Sequence, residues 1–226
     1  MNLNKRLSTV ADLVRDGSRA ADIGSDHAHL PVVLIQSGRC PHVIATDIIE
    51  GPVASANKTV QQTGLGDRID VRLGDGLAPV SPDEVDDILI AGMGGENIVG
   101  ILQAAPWVKD EKYHLVLQPM TRPETLREYL LTNGFEIERE RSVADHGHQY
   151  LVLSARYTGA DPITDAYTYY VGRLTPQTDR AYLEWQLRRL VKKVNGLKHD
   201  QQTQEAATFE QIADRLDAFL KGGQTV

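Results

Sequence analysis

Short apolar, strand-like stretches alternate with helix-like stretches over the first 157 residues, and single turns join them. Because parallel strands need a crossover connection that is usually a helix, this alternation favours a doubly wound α/β sheet covered by helices on both faces. The last two strands follow each other without a helix, so they should form an antiparallel hairpin at the end of the sheet. The predicted strands are Ala20–Ile23, His42–Thr46, Ile69–Leu73, Asp87–Ala91, His114–Leu117, Phe135–Val143 and Tyr150–Arg156.

Helices are predicted between these strands from apolar residues at helical spacing. Several of them are followed by a glycine, which commonly ends a helix because it adopts the left-handed conformation without strain. The predicted helices are Leu3–Arg15, His29–Ser37, Pro52–Gln62, Glu96–Ala104 and Pro123–Thr132.

The pattern changes after Asp161, where apolar residues follow a heptad period. The polar segment His199–Gln204 separates two such seams and suits the turn of an antiparallel helical hairpin (coiled coil). Such a hairpin buries too little surface to be stable alone, so we expect it to pack on the sheet. We therefore predict a sheet domain at 1–157 and a helical coiled-coil domain at 158–226. The two seams are Leu183, Leu187, Leu190, Val194 and Leu197, and Phe209, Ile212, Leu216 and Phe219.

The composition excludes several classes of protein. Hydrophobic residues make up 41% and charged residues 24% of the chain, which is ordinary for a globular domain and untypical of disordered or collagen-like chains. Cys40 is the single cysteine, so neither an internal disulfide nor a cysteine zinc site can form. The first residues lack the apolar stretch of a signal peptide, and no run approaches the roughly 18 apolar residues of a membrane span. We expect a cytoplasmic protein with no membrane association.

The distribution of charge bears on nucleic-acid binding. The net charge of −7 argues against a nucleic-acid partner, yet the segment 186–199 contains five Lys and Arg residues and no acidic residue. Four of them pair at i and i+4 and therefore form one helical face. A solvated helix face is the common explanation of such a stripe, but its lack of acids in an acidic chain favours contact with RNA phosphates. The candidate RNA-binding residues are Arg188, Arg189, Lys192 and Lys193, with Lys5 and Arg6 of the first helix as secondary candidates.

The loop after the first strand, Asp22–Ala28, carries one glycine and two acids. In doubly wound sheets ligands bind where the strands end, so this loop should face a ligand. The G-x-G-x-x-G fingerprint of dinucleotide sites is not met, and carboxylates repel a pyrophosphate. The loop suits a ligand with a cationic or amino group, which points away from NAD and towards S-adenosylmethionine.

Three further loops at strand ends complete a candidate nucleoside site. Asp47 lies 23 residues beyond Gly24, and an acid about 20 residues past the glycine turn can accept hydrogen bonds from both ribose hydroxyls. Asp75 is flanked by glycines and can accept a hydrogen bond from the amino group of adenine, while the loop Ala91–Gly95 can lie against a flat or bulky group. Each loop alone is more often an ordinary turn or cap. Four in register favour the cofactor site of a class I methyltransferase.

Five sequence segments together closely resemble the bacterial tRNA (adenine-N1)-methyltransferase family that acts at tRNA position 22 (TrmK). The resemblance runs from the N terminus to about Arg156, and the helical tail also fits. It implies a Rossmann-like class I methyltransferase fold, S-adenosylmethionine as cofactor, and a tRNA substrate held partly by the coiled-coil tail. The segments are Lys5-Arg6-Leu7, ADIGSDHAHLP (Ala21–Pro31), TDIIEGP (Thr46–Pro52), RLGDGL (Arg72–Leu77) and AGMGG (Ala91–Gly95).

The resemblance also implies roles for individual residues. It implies that the methionine end of the cofactor is lined by Asp22, Gly24 and His27 and that the ribose is bound by Asp47. The adenine would contact Asp75 and Gly76, and the floor near the transferred methyl would be formed by Gly92 and Met93. His29 departs from the family, which more often has Tyr there.

Asp26 is the candidate catalytic residue, because methylation of adenine N1 gives a cationic base that a nearby carboxylate would stabilise. The alternative is that Asp26 caps the helix beginning near His29, and the sequence favours neither. Gln118-Pro119 could face the acceptor base, although any strand end can have this composition. The turn with Asp145, His146 and His148 contains residue types that bind metals. Polar residues are common in ordinary turns, and nothing else in the sequence suggests a metal, so we predict none.

Other functions remain open from the residues alone. The chain could methylate a small molecule or a protein, although an exposed basic hairpin is a poor lid for a small substrate. It could also be a non-catalytic protein that binds S-adenosylmethionine, and an NAD enzyme is disfavoured by the acidic first loop. No obligate protein partner is predicted.

Overall fold

The computed structural model describes residues 2–222, which form a seven-stranded mixed sheet and eight α-helices. Two short 3-10 helices, Pro82–Glu84 and Pro106–Val108, lie in loops. The strands are β1 (Ala20–Ile23), β2 (Val43–Asp47), β3 (Ile69–Leu73), β4 (Asp87–Gly94), β5 (His114–Thr121), β6 (Phe135–Asp145) and β7 (His148–Tyr157). The helices are α1 (Lys5–Leu13), α2 (His29–Gln36), α3 (Glu50–Thr63), α4 (Gly95–Ala104), α5 (Pro123–Thr132), α6 (Ala166–Val171), α7 (Pro176–His199) and α8 (Thr203–Leu220).

The strand order is β3-β2-β1-β4-β5-β7-β6, with β1 to β5 parallel and β7 antiparallel to both of its neighbours. The predicted doubly wound sheet and its terminal hairpin are confirmed. The chain moves outward from β1 to β3 on one side and from β4 onward on the other. Such a reversal opens a crevice at the carboxyl ends of the strands.

Alternating strand residues build a separate core on each face of the sheet. In β4, Leu89 packs with the helices α1, α2 and α3, whereas Ile88 and Ile90 pack on the opposite face. That second core also contains residues of α4 to α8, including Leu183 and Leu216 of the tail helices. The hairpin therefore shares a core with the sheet, as predicted. The division into domains at residue 157 stays a prediction.

The tail forms the predicted antiparallel helical hairpin. Lys198 near the end of α7 pairs with Glu210 of α8 at 2.7 Å, and Arg180 near the start of α7 donates to the carbonyl of Leu220 at 2.9 Å. Antiparallel packing is the arrangement that brings both ends of the helices together in this way. The predicted seams contribute to the buried surface of both helices.

A fully buried ion pair between α5 and β6 also contacts the segment that leads into the tail. The Arg127 Nε of α5 donates to the Glu140 Oε1 of β6 at 2.6 Å, and both side chains are 0% exposed. The same guanidinium donates to the carbonyls of Tyr169 and Tyr170 at the end of α6. Gly172 follows with φ +62°, and a Cβ there would lie 2.1 Å from a Glu140 carboxylate oxygen. The chain can therefore turn into α7 only without a side chain at this position.

Helix α6 was not predicted from the sequence. It has only six residues, and its main local signal is the Asp165 side chain, which accepts a hydrogen bond from the backbone of Tyr167. A helix this short depends on tertiary contacts rather than on its own propensity. Its position against Arg127 supplies those contacts. Among residues 2–222, none of the helices combines the length and apolar character that crossing a membrane requires.

We expect Arg127→Met to lower the free energy of unfolding by about 3–5 kcal/mol, because it removes the ion-pair partner of the buried Glu140 carboxylate and leaves it only the hydrogen bond from the Arg173 backbone. Urea unfolding at pH 7 measures the effect. Arg141→Met is the matched control, since Arg141 lies in the same strand as Glu140 but its pair with Asp12 is exposed. That control should change stability by less than about 1 kcal/mol. Equal losses in both variants would contradict a special role for the buried pair.

Candidate functional site

A cavity of about 760 Å³ lies at the carboxyl ends of β1 to β4, where the strand order reverses. We call it the larger cavity. The four loops predicted to form a site all contribute to its wall. The predicted residues that line it are Gly24, Asp47, Asp75, Gly76, Gly92 and Met93.

A smaller cavity of about 270 Å³ adjoins the larger one, and both are lined by Gly24, Ala91 and Gly92. Its remaining wall combines the first loop and the start of α2 with two residues of α1, Arg6 and Leu7. The other predicted residues that line it are Asp22, Asp26, His27, His29 and Arg6. Every predicted cofactor residue therefore lies on one of two connected cavities.

Gly24 shapes the junction of the two cavities. Its φ is +74°, and its amide donates to the Thr46 carbonyl at 2.8 Å, which fixes the first loop to the end of β2. A Cβ at Gly24 would lie 2.2 Å from the Met93 methyl carbon. Glycine therefore permits both the backbone turn and the close approach of Met93.

Asp22 is an almost fully buried carboxyl at the end of β1, with 5% of the residue exposed. Burial raises its pKa to about 6, since it disfavours the charged form, and the nearby charge of Asp47 acts in the same direction. The Ser25 hydroxyl opposes this shift by donating to the Asp22 carboxylate at 2.6 Å. A cationic or amino group of a ligand would remove the electrostatic cost of charging Asp22.

Asp47 connects two of the loops. Its carboxylate accepts hydrogen bonds from the backbone of Ile49 at 3.0 Å and, at a longer 3.4 Å, from that of Asp26. Asp75 is exposed and lines the same cavity, and the amide of its neighbour Gly74 donates to the Asp47 carbonyl at 2.9 Å. Two carboxylates at separate positions can accept hydrogen bonds from hydroxyl and amino groups of one extended ligand.

Asp26 does not cap α2. The N-cap residue of that helix is Ala28, and it makes no side-chain hydrogen bond. The Asp26 side chain is 63% exposed, lies 3.4 Å from His27 Nε2, and belongs to a residue with φ +47°. A non-glycine residue in this region costs conformational energy, so the loop holds the carboxylate at the mouth of the smaller cavity against a local strain.

His27 and His29 stack on each other with ring centroids 5.4 Å apart. The His27 Nδ1 also lies 2.6 Å from the Ser55 hydroxyl of α3, which fixes the orientation of its ring. The imidazole of His29 thus extends an exposed aromatic surface beside the smaller cavity.

Gln118 organises the loop after β4. Its side chain is fully buried, and its Oε1 accepts hydrogen bonds from the Gly92 backbone at 3.0 Å and from the Arg6 guanidinium. Its Nε2 donates to the carbonyl of Pro119 at 2.9 Å. The amide therefore holds neighbouring elements rather than standing free to bind an acceptor base.

The secondary RNA candidates of α1 differ from each other. Lys5 is exposed, whereas Arg6 is half-buried, lines the smaller cavity and lies with its Cζ 5.8 Å from the centre of the Tyr150 ring. A helix places successive residues about 100° apart, so adjacent residues reach different environments. Arg6 therefore lies in a cavity wall and Lys5 on the outer surface, and the RNA contact of both residues stays a prediction.

The basic stripe of α7 is also less uniform than predicted. Arg189 pairs with Glu124 of α5 at 3.2 Å and its guanidinium lies over the Trp185 ring, while Lys193 Nζ lies 3.5 Å from the centre of the Phe209 ring. Arg188 and Lys192 are exposed and form no ion pair within residues 2–222. These two residues are the freely accessible part of the stripe.

Some lining residues were missed by the sequence analysis. Asn97 and Ile101 of α4 and Trp107 of the second 3-10 helix line the larger cavity. They lie outside the strand-end loops, and a helix residue carries no signal in sequence that it faces a cavity rather than a core.

The turn between β6 and β7 forms a local pair. Asp145 is buried, and one of its oxygens lies 3.1 Å from His146 Nδ1. Among the residues described here, no group of three or more His, Cys, Asp or Glu side chains could hold a metal ion. The absence of a bound metal stays a prediction.

Comparison with known proteins identifies related sequences and structures. A family model described as a methyltransferase domain matches residues 3–153. A tRNA (adenine(22)-N(1))-methyltransferase of Bacillus subtilis is 38% identical over 174 residues, which cover 77% of this chain and 73% of that protein.

Two solved structures match almost the whole chain. The B. subtilis m1A22 tRNA methyltransferase TrmK has a TM-score of 0.79 and 31% identity, and the match covers 98% of each chain. A Streptococcus pneumoniae protein solved in complex with S-adenosyl-L-methionine has a TM-score of 0.80 and 31% identity, covering 95% of this chain and 99% of that one. Matches of this extent include the helical hairpin as well as the sheet.

The raised pKa of Asp22 predicts a pH-dependent stability. Because the folded chain binds this proton more tightly than the unfolded chain, the stabilisation is present below about pH 4 and is lost as the pH rises through about 6. We expect Asp22→Asn to increase the free energy of unfolding, relative to the wild type, by about 2 kcal/mol more at pH 8 than at pH 4.5. Urea unfolding at both pH values measures this difference.

Asp16→Asn is the control, because Asp16 is an exposed carboxylate just before β1, and it should show little pH-dependent difference. If Asp22→Asn had the same effect at both pH values, a proton on Asp22 would not be the cause.

Proposed function

The chain belongs to the methyltransferase-domain family and, within it, to the tRNA (adenine-N1)-methyltransferases, and on this premise we propose that it methylates N1 of the adenine at position 22 of tRNA with S-adenosylmethionine. The observation that carries the proposal is the pair of connected cavities at the strand ends. The larger cavity has Asp47 and Asp75 in its wall, whose carboxylates can accept hydrogen bonds from a ligand, and the smaller cavity has the buried Asp22. A nucleoside with an aminoacyl chain fits this division into a larger and a smaller compartment.

In this proposal the larger cavity binds the adenosine part of the cofactor. Asp47 accepts hydrogen bonds from the ribose hydroxyls, and Asp75 with Gly76 contacts the adenine. The methionine part extends past Gly24 into the smaller cavity. Its ammonium group lies near Asp22, whose burial makes a cationic partner favourable. Two further groups are His27 at the methionine end and Gly92 with Met93 at the floor near the methyl group.

S-adenosylmethionine supplies a methyl group activated by its positive sulfur. The adenine N1 lone pair lies in the plane of the ring, so N1 needs no deprotonation before it attacks. The new N–C bond forms as the S–C bond breaks, and the positive charge passes from sulfur to the base. The protein therefore acts mainly by holding N1 in line with the S–methyl bond.

We assign to Asp26 the stabilisation of the charge that develops on the base. Three observations support this role: Asp26 lines the smaller cavity, it is not used as a helix cap, and its side chain is 63% exposed. A fixed carboxylate stabilises a developing positive charge without needing to accept a proton.

The tRNA would contact the tail on the same side as the cavities. Glu124 lies in the first turn of α5, directly after the carboxyl end of β5, so its ion pair with Arg189 holds the middle of α7 at the site edge of the sheet. Helix α7 continues about 15 Å beyond Arg189 to His199. Arg188 and Lys192 are then available to RNA phosphates, with Lys5 on α1 as a further contact. Since tRNA is the substrate, we also propose a cytoplasmic location and no obligate protein partner.

The direct test is transfer of labelled methyl from S-adenosylmethionine to bulk tRNA from a strain that lacks this gene, followed by separation of the nucleosides. Label in 1-methyladenosine is expected. Label in another nucleoside would contradict the acceptor. No transfer to tRNA, with cofactor binding intact, would favour a small-molecule or protein methyltransferase or a non-catalytic binding protein.

We expect Asp26→Asn to lower kcat by about ten- to a hundred-fold while the affinity for S-adenosylhomocysteine changes less than about two-fold. Single-turnover methylation and equilibrium binding measure the two quantities. Asp16→Asn, at the opposite edge of the sheet, should leave both unchanged. Equal losses in turnover and cofactor affinity would contradict a role for Asp26 in the transfer step.

Neutralising the exposed tail cations should weaken tRNA binding and reduce its salt dependence. For Arg188→Ala/Lys192→Ala we expect the slope of log K against log salt concentration to fall by about 1.5–2. Lys109→Ala/Lys112→Ala removes the same charge from the segment before β5, at the opposite edge of the sheet, and should leave the slope unchanged. Binding measured between about 50 and 200 mM salt gives both slopes. Equal slopes in the two double variants would show that the stripe is only a solvated surface.

A further inference from the structure

Arg189 is the most constrained cation of the basic stripe on α7. Its two terminal nitrogens lie 3.2 and 3.4 Å from the two carboxylate oxygens of Glu124, and its Nη1 also donates to the Oε1 of Gln186 at 2.7 Å. The Arg189 Cζ lies 4.8 Å from the centre of the Trp185 ring. With its edge on two acceptors and a face on a ring, the guanidinium is fixed in one orientation.

Gln186 connects this cation to the buried polar groups of the sheet. Its side chain is fully buried, and its Nε2 donates to the Tyr170 carbonyl at 3.4 Å. The same carbonyl accepts a hydrogen bond from Arg127 Nη1 at 3.2 Å, and Arg127 is the buried partner of Glu140. The middle of α7 is therefore attached through polar groups to α5, to the end of α6 and to β6.

Helix α7 is attached to the sheet at a second point near its start. Asp179, where the helix departs from regular geometry with φ −123°, accepts hydrogen bonds from the Ser142 backbone at 3.2 Å and from its hydroxyl at 2.7 Å. Asp179 and Arg189 are ten residues apart, which is about 15 Å along a helix. Two attachments at this separation fix the direction of α7 as well as its position.

Beyond Arg189 the polar contacts of α7 change partner. Within residues 2–222, no ion pair or side-chain hydrogen bond joins 190–199 to the sheet, and Lys198 pairs with Glu210 of α8 instead. The pair of Arg189 with Glu124 is thus the outermost polar attachment of the tail to the sheet. The rest of α7 extends from this point as an arm.

The direction of this arm matters for a substrate that binds to it. The arm continues for about 15 Å, so a rotation of about 10° at Arg189 would displace its end by about 3 Å. Methyl transfer requires the acceptor nitrogen in line with the S–methyl bond, and a misplacement of about 1 Å can lower the rate about a hundred-fold. An RNA held by the arm can therefore react efficiently only if the direction of the arm is fixed.

We propose that Glu124 and Arg189 are positioning residues for methyl transfer, because their ion pair sets the direction of the tail and so aligns the acceptor adenine of bound tRNA with the methyl donor. The inference rests on the proposed tRNA substrate. Positioning is favoured over a direct phosphate contact of Arg189, since its donors and one ring face are already engaged, whereas Arg188 and Lys192 are exposed. The pair acts through the tail and touches no reacting atom.

The test is a double-mutant cycle of Glu124→Gln, Arg189→Gln and the double variant. We expect each single variant to lower the rate of methyl transfer to tRNA about ten-fold, while the affinities for tRNA and for S-adenosylhomocysteine change less than about three-fold. The double variant should lose about as much as either single variant, because all three remove the same pair. Arg189→Lys keeps the charge but not the paired contacts, so it should recover part of the rate. Single-turnover methylation and equilibrium binding of the full chain measure these quantities.

Glu184→Gln is the matched control, because it also removes one carboxylate and one ion pair from the tail. Its partner Arg180 lies one turn earlier on the same helix, so no attachment to the sheet is lost and the transfer rate should not change. Thermal unfolding verifies that each variant is folded.

Two results would overturn the proposal. Weaker tRNA binding with a smaller salt dependence for Arg189→Gln, but not for Glu124→Gln, would make Arg189 a phosphate contact. Unchanged transfer rates, or losses that add in the double variant, would show that the pair does not align the substrate. If the wild type transferred no methyl to tRNA, the proposed function itself would fail.

Discussion

The parallel pairing of β1 with β2 on one side and β4 on the other is the constraint on which the rest of the structure depends. It aligns the carboxyl ends of the strands, so loops distant in sequence meet at one edge. It also separates the chain connections on either side of β1, which opens the crevice that the two cavities occupy. The hydrogen bond from Gly24 to Thr46 then ties the first two loops together at the position where the cavities join.

The division of charge follows from this architecture. Acidic side chains gather at the strand ends, where the proposed cofactor is cationic, and the main cations proposed for RNA contact lie on α7. An acidic chain can therefore bind a polyanion, provided that its cations lie on the surface that the polyanion contacts. The ion pair between Arg189 and Glu124 contributes to this placement, because one cation of the stripe holds α7 beside the site. Arg188 and Lys192 of the same stripe are exposed.

Local sequence signals were sufficient to predict the strands, most of the helices and the four strand-end loops, since each depends on periodicity or on glycine and acid at short range. They were insufficient wherever a residue's environment is set by a distant element. The sequence around Arg6 does not reveal that Gln118, 112 residues away, turns it inward. Likewise, the position of Glu124 decides that Arg189 is not a free cation. The choice between cap and catalytic residue for Asp26 needed the backbone of Ala28.

The cost of burying Asp22 can be understood as part of the proposed binding mechanism. Burial raises the pKa of the Asp22 carboxyl to about 6, because it disfavours the ionised form relative to a solvated carboxylate. An ammonium group removes that disadvantage, so binding gains free energy that a solvated carboxylate could not supply.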